Sequence, residues 1–154
     1  MKALSIWQPW AQLLATGVKH DETRSWGTKY RGPILIHAAK RQLDYTSEFI
    51  ELHRSPFYKY FKVMGFGTYE NILKLPYGAI IGMAELVDCK KIDQTYHDFV
   101  RDFCHSDYAF GNFTVGRYAW RMEKPVLFDA PIPAKGKQGL WEWEGELPEL
   151  RKGQ

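Results

Sequence analysis

The decapeptide Gly17-Val18-Lys19-His20-Asp21-Glu22-Thr23-Arg24-Ser25-Trp26 lies between a hydrophobic helix pattern and a hydrophobic strand pattern, yet it is almost wholly polar. Lys19, His20, Asp21, Glu22 and Arg24 fall within six residues. Opposite charges at that density form either a solvated turn or the lining of a site. As a strand, the segment would set His20, Glu22, Arg24 and Trp26 on one face and Lys19, Asp21, Thr23 and Ser25 on the other. Immediately upstream, Trp10, Leu13 and Leu14 share one helix face through their spacing of three and four. Pro9 suits the first turn of that helix, where its missing N–H would have no partner. Gly17 stands where a left-handed cap ends a helix.

Working outward, residues 2–7 read as a short first strand, Leu4 and Ile6 alternating with Ser5 and Trp7. Downstream, Gly27, Gly32 and Pro33 mark a loop. Ile34-Leu35-Ile36-His37-Ala38-Ala39 is a buried-type strand in which His37 reads as a core histidine bonded to a backbone group. Residues 43–54 are a helix candidate, and residues 55–75 read as short helices and loop. Residues 78–89 form the clearest strand, with Ile81, Met83, Glu85 and Val87 on one face and Ile80, Ala84 and Leu86 on the other. Both faces are apolar, so Glu85 is a carboxylate that either finds a cationic partner or stays protonated. Lys19, Arg24 and His37 are the candidates. Residues 94–105 form an amphipathic helix carrying Tyr96, Phe99, Val100, Phe103 and Cys104 at helical spacing. Tyr118, Trp120 and Met122 alternate along a further strand. Residues 131–139 are an extended loop in which Lys135 and Lys137 flank Gly136, a pattern in which ammonium and amide groups approach a phosphate together. Trp141 and Trp143 share one face of a last strand. Five or six strands with a few helices and no βαβ rhythm indicate an α+β domain around a small barrel.

The 154 residues suffice for one domain with a real core. Charged residues make up 25% and aromatic residues 16%, a high share that serves packing or base stacking. A net charge of +3 permits an anionic partner without demanding one. Cys89 and Cys104 make no disulfide framework and fit reduced thiols in a cytoplasmic protein. No run approaches a membrane span. His97, Cys104 and His105 lack zinc-ligand spacing, so no metal is expected, and nothing calls for a cofactor.

Leu4-Ser5-Ile6-Trp7-Gln8-Pro9-Trp10 followed by Gly17-Val18-Lys19-His20-Asp21-Glu22-Thr23-Arg24 resembles the ASCH domain, a family marked by G-x-K-x-x-E-x-R after its first helix. Arg31-Gly32-Pro33, Ile36-His37-Ala38, the run from Gly82 to Glu85, and Lys137-Gln138-Gly139-Leu140-Trp141 look like further family blocks, in the right order. The resemblance implies a small mixed β-barrel of PUA-like type with surrounding helices, and a cleft in which the signature lysine and glutamate face a nucleoside or RNA. Some bacterial relatives are amidohydrolases that cleave N4-acetylcytidine, and others are described as RNA-binding or ribonucleolytic. In the short amidohydrolases a threonine follows the signature lysine by three residues and joins a Lys-Thr-Glu catalytic set. Here that position is Glu22, while Lys19 and Glu85 match the other two members. Glu22 cannot act as a hydroxyl nucleophile, so either a carboxylate activates water or this branch only binds.

Three readings follow. An amidohydrolase of N4-acylcytidine type would use Lys19, Glu22 and Glu85 as its catalytic set, with Gln8, Arg24, Trp26, Lys135 and Lys137 binding substrate. A non-catalytic module for single-stranded RNA would take phosphate contacts from Lys29, Arg31, Lys40, Arg41, Lys135 and Lys137, and stacking from Trp7, Trp26 or Tyr30. A metal-independent ribonuclease would use Lys19 and Glu22 as an acid–base pair.

Overall fold

In the computed structural model, which describes residues 1–149, β1 (Lys2–Ile6) pairs in parallel with β3 (Gly32–Ala38). The connection between them carries α1 (Trp10–Ala15) and β2 (Asp21–Arg24). β4 (Ala79–Lys91), β5 (Tyr118–Pro133) and β6 (Leu140–Glu142) complete a sheet of order β2-β5-β4-β3-β1-β6. Every other neighbouring pair is antiparallel. The sheet curls into a half-barrel with helices around it, and β2 and β6 are its edges.

Both faces of the sheet are covered. On one, Leu4, Ile34, Ile36, Ile81, Leu86, Trp120 and Met122 pack against Ala11, Leu14 and Ala15 of α1. On the other, Ala3, Leu35, Ile80, Phe128 and Trp141 form a second cluster that takes in Trp143, as the alternation of the last strand predicts. The face assignment for β4 needs correction. Its pairing shifts between Ile80 and Gly82 against both β3 and β5. That one extra residue in β4 resets the alternation once, so Ile81 joins Ala84 and Leu86 under α1, while Ile80 and Met83 pack opposite.

α1 is buried on both sides despite its length of six residues. Leu13, expected beside Leu14, turns instead into a cap of short helices. A π-helical turn (Tyr45–Phe49) leads into α2 (Ile50–Arg54), followed by α3 (Tyr58–Val63) and α4 (Tyr69–Leu73). Phe49, Phe61, Phe66 and Ile72 of this cap enclose Leu13 together with Phe110. Phe110 ends α6 (His105–Phe110), a helix the sequence pattern did not separate from α5 (Gln94–Phe103). Tyr96, Val100 and Cys104 pack inward against Phe113 and Ala119. Phe99 and Phe103, expected in that stripe, are 51% and 77% exposed and lie against each other. Cys89 and Cys104 are both free thiols. Among the described residues no helix is long and apolar enough to cross a membrane.

Two glycines bring α1 to its position. Gly17 has φ +81°, the left-handed conformation that ends the helix and turns the chain toward Lys19. Gly82 is required for space: a Cβ there would stand 2.3 Å from the Val126 carbonyl oxygen and 3.1 Å from the Ala15 Cβ. Adding that methyl pushes β4 from β5 and lifts α1. Gly82→Ala is expected to lower unfolding free energy by about 1–3 kcal/mol, measured by urea denaturation. An unchanged midpoint would show that the contact relaxes without cost.

Candidate functional site

The polar decapeptide is neither a solvated turn nor an ordinary strand. Its backbone is fixed before any side chain is considered. The Lys19 N–H donates to the Leu13 carbonyl at 3.0 Å, tying it to the end of α1. The Met122 N–H donates to the His20 carbonyl at 2.9 Å. Asp107 on α6 accepts from the His20 N–H at 2.7 Å and meets its ring Nδ1 at 2.9 Å. β2 then pairs with β5, Glu22 opposite the fully buried Trp120.

Lys19, Asp21, Glu22 and Thr23 are all buried, so the segment has polar contacts on both faces. Lys19 precedes the strand and escapes its alternation, and its Nζ reaches Glu22 Oε1 at 2.8 Å. The Thr23 N–H donates to the same oxygen at 3.1 Å. Arg24, two residues along the strand and therefore on the Glu22 face, donates to Glu22 Oε2 at 3.2 Å and to the Ser5 carbonyl at 2.6 Å. Burial pushes the Glu22 carboxyl upward, but the Lys19 ammonium and the Arg24 guanidinium outweigh it and hold Glu22 below the usual carboxylate range. On the opposite face Asp21 accepts from the Tyr96 hydroxyl and from Arg121. Thr23 Oγ1 accepts from the Asn112 N–H at 3.0 Å, and Arg117 bridges the Asn112 and Thr23 carbonyls.

Lys19, Glu22 and Arg24 border a cleft of about 540 Å³ between the sheet, α1 and the helical cap. Trp7, Trp10 and Phe61 line its apolar side, and Asn112 and Arg117 its far rim. Trp7 is 45% exposed at the mouth. The Arg41 guanidinium, itself bonded to Glu48 at 2.6 Å, lies over its ring at 4.1 Å.

The other sequence-derived candidates lie elsewhere. Glu85 sits opposite Glu123 on β5, is half-buried, and does not border the cleft. Among the described residues it forms no ion pair with Lys19, Arg24 or His37, whose contacts are otherwise taken. The geometry therefore does not join Glu85 to Lys19 and Glu22. Gln8 is fully buried: its amide donates to the Pro76 carbonyl at 3.0 Å, and its oxygen accepts from the Gln12 N–H at 2.9 Å, starting α1. Trp26 packs edge-on against Trp120 at 4.8 Å, outside the cleft. Lys135 and Lys137 line a separate cavity. His37 is the expected core histidine, with Nε2 2.8 Å from the Ala134 carbonyl. Of the proposed stacking residues, Trp7 is at the cleft and Tyr30 is not. Sequence reading missed Trp10, Phe61, Asn112 and Arg117. The first two look like core residues in any helix, and the last two are brought in by α6 and β5 from distant parts of the chain.

A curled α+β half-barrel with a Lys-Glu-Arg group at the end of its first helix agrees with what the ASCH resemblance implies. The family model described as the ASCH domain matches residues 4–130, and the chain belongs to that family. Activating signal cointegrator 1 of Homo sapiens is 28% identical over 144 residues, covering 94% of this chain and 22% of its own length, and the protein of that name from Mus musculus is similar to the same extent. The chain thus spans about a fifth of the length of these relatives. A crystal structure of a variant ASCH protein from Zymomonas mobilis aligns with a TM-score of 0.47 at 15% identity, over 86% of this chain and 74% of that one.

The buried ion group has a definite pH signature. A carboxyl held low in the folded chain contributes stability that is complete above its unfolded value of about 4.5 and is lost as pH falls through its folded value. Glu22→Gln leaves the Lys19 ammonium buried opposite a neutral amide and is expected to cost roughly 3 kcal/mol at pH 7. Below pH 4.5 the variant should lose less stability than wild type with falling pH, as read by urea denaturation from pH 7 to 3. Parallel wild-type and variant curves would show that Glu22 is not held ionised.

Proposed function

We propose that the cleft binds a single nucleobase, presented by a nucleoside or by an unpaired residue of RNA. One observation carries this reading: an apolar wall of Trp7, Trp10 and Phe61 stands beside a buried, ionised Glu22 flanked by Arg24 in a cleft of about 540 Å³. Pockets of that size suit small ligands, and splayed-out bases are held by aromatic stacking and by hydrogen bonds at their edges. Glu22 Oε1 takes two donors and Oε2 takes Arg24. A carboxylate has about four acceptor positions, so one stays open for a base donor such as the exocyclic amine of cytosine. Arg24 and Arg117 supply donors for a carbonyl or ring nitrogen. The family membership supports a nucleic-acid ligand.

A second reading, hydrolysis of an N4-acylcytidine amide, is favoured by Lys19. Its side chain is 2% exposed, its ammonium is fixed by Glu22, and the residue borders the cleft, so it suits an acyl oxygen that gains negative charge. The same geometry weakens Glu22 as a base. A carboxylate held ionised by two cations takes a proton from water reluctantly. Lys19 in the oxyanion role and Glu22 as its orienting partner is the assignment that fits.

The test is a titration of cytidine, N4-acetylcytidine and a short single-stranded RNA, followed by tryptophan fluorescence, with chromatographic analysis of the nucleosides. Trp7→Ala, at an exposed position, is expected to weaken binding about 5- to 100-fold, the value of one stacked base. No binding of any ligand by wild type, or equal binding by Trp7→Ala, overturns the cleft reading. Release of cytidine from N4-acetylcytidine by wild type and not by folded Lys19→Met establishes the hydrolase, and binding without release leaves a recognition module.

A further inference from the structure

We propose that the cavity under the 134–138 loop is a phosphate site for the strand whose base occupies the cleft, so that the ligand is a phosphate-bearing polynucleotide and not a free nucleoside. This rests on the base-binding reading above. The cavity measures about 820 Å³ and is walled by Lys40, Lys135 and Lys137 with Ser5, Tyr77 and Gly136. No carboxylate lines it. Among the described residues none of the three lysines has an ion-pair partner, which they share with most surface lysines of the chain; what sets them apart is that they stand around one cavity. Three exposed cations around one concavity give it a positive potential that attracts an anion.

The loop is held as part of a built wall. His37 Nε2 is 2.8 Å from the Ala134 carbonyl, and His37 Nδ1 is 3.0 Å from Ser5 Oγ. Burial holds the His37 imidazole below its ordinary value, which keeps the ring neutral. The ring then donates through Nε2 to Ala134 and accepts at Nδ1 from Ser5. Trp141 Nε1 donates to the same Ser5 oxygen at 3.2 Å. Gly136 lies directly on this group, where a Cβ would stand 2.6 Å from His37 Cε1 and 2.7 Å from Ser5 Oγ. A ring bonded at both nitrogens cannot move aside. Gly136 therefore lets the loop lie flat, and its two neighbours flank the cavity as a pair.

Continuity with the cleft is carried by β1. Ser5 borders both cavities: its carbonyl holds Arg24 on the cleft side, and its hydroxyl joins His37 on the loop side. On this proposal the backbone next to a base in the cleft passes over β1 at Ser5 to reach Lys40, Lys135 and Lys137. The contacts are to phosphate, so this half of the site contributes affinity without sequence preference.

Fluorescence anisotropy with a labelled single-stranded RNA octamer at 50–300 mM salt tests the proposal. Wild type is compared with Lys40→Gln/Lys135→Gln/Lys137→Gln and with Gly136→Ala, which moves the loop and keeps every charge. Each single-strand phosphate contact contributes about 0.7 to the slope of log affinity against log salt, so the triple variant should lose about 2 from that slope. Gly136→Ala should weaken the octamer. Cytidine, which reaches only the cleft, should bind all three proteins equally. An unchanged slope in the triple variant while wild type binds the octamer overturns the phosphate site and leaves the cleft reading intact. Equal loss of cytidine and octamer overturns it as a separate site. Failure of wild type to bind either ligand overturns the cleft reading and this inference together.

Discussion

A buried carboxylate between two cations is the constraint on which the rest of this structure depends. Moving Glu22 or Lys19 out of water alone costs several kcal/mol per ion, and their attraction offsets this only when the remaining hydrogen-bonding positions are filled. Here three of the roughly four acceptor positions of Glu22 are filled, from three directions. Lys19 comes from the end of α1, Arg24 from the same strand, and the Thr23 amide from the backbone between. Arg24 then reaches the Ser5 carbonyl, which makes β1 a member of the group. Helix, edge strand and parallel pair are thereby held in one arrangement, and a shift in any of them would strand a buried charge.

The spacing of the signature has a plain geometric meaning. Glu22 and Arg24 are two apart on a strand and share its face. Lys19 lies outside the strand, directly after a helix ended by Gly17, and folds back over three residues to meet Glu22. A lysine one position later would fall on the alternation of the strand itself. The opposite face of β2 carries a matching set of contacts, Asp21 with Tyr96 and Thr23 with Asn112. These stop the short edge strand from peeling away, and they bring Asn112 and Arg117 to the rim of the cleft.

The cleft is a consequence of incomplete closure. A closed barrel of this size would be filled by side chains, but the half-barrel leaves β2 as an edge. α1 covers the sheet with Leu14 and faces the cap with Leu13. The space remaining between cap, α6 and β2 has aromatic walls because the cap is aromatic, and a charged floor because the edge strand is charged.

Much of this was legible in the chain itself. Local pattern determined the strand–helix–strand opening, the cap at Gly17, the core role of His37, the shared face of Trp141 and Trp143, and the shared face of Glu22 and Arg24, because all of these follow from spacing over a few residues; alternation set Lys19 on the other face, and only the family resemblance grouped it with them. Tertiary structure alone decided the rest. Glu85 left the group because a bulge between Ile80 and Gly82 resets an alternation that sequence can only read as continuous, and Glu85 then stands opposite Glu123. Trp26 and Gln8 became packing and capping residues because Trp120 and Pro76, each far along the chain, offered them partners. Lys135 and Lys137 fell into a second cavity because the loop that carries them is bonded to His37 of β3, away from β2. Periodicity records which face a residue prefers, and only the pairing of distant segments determines what that face meets.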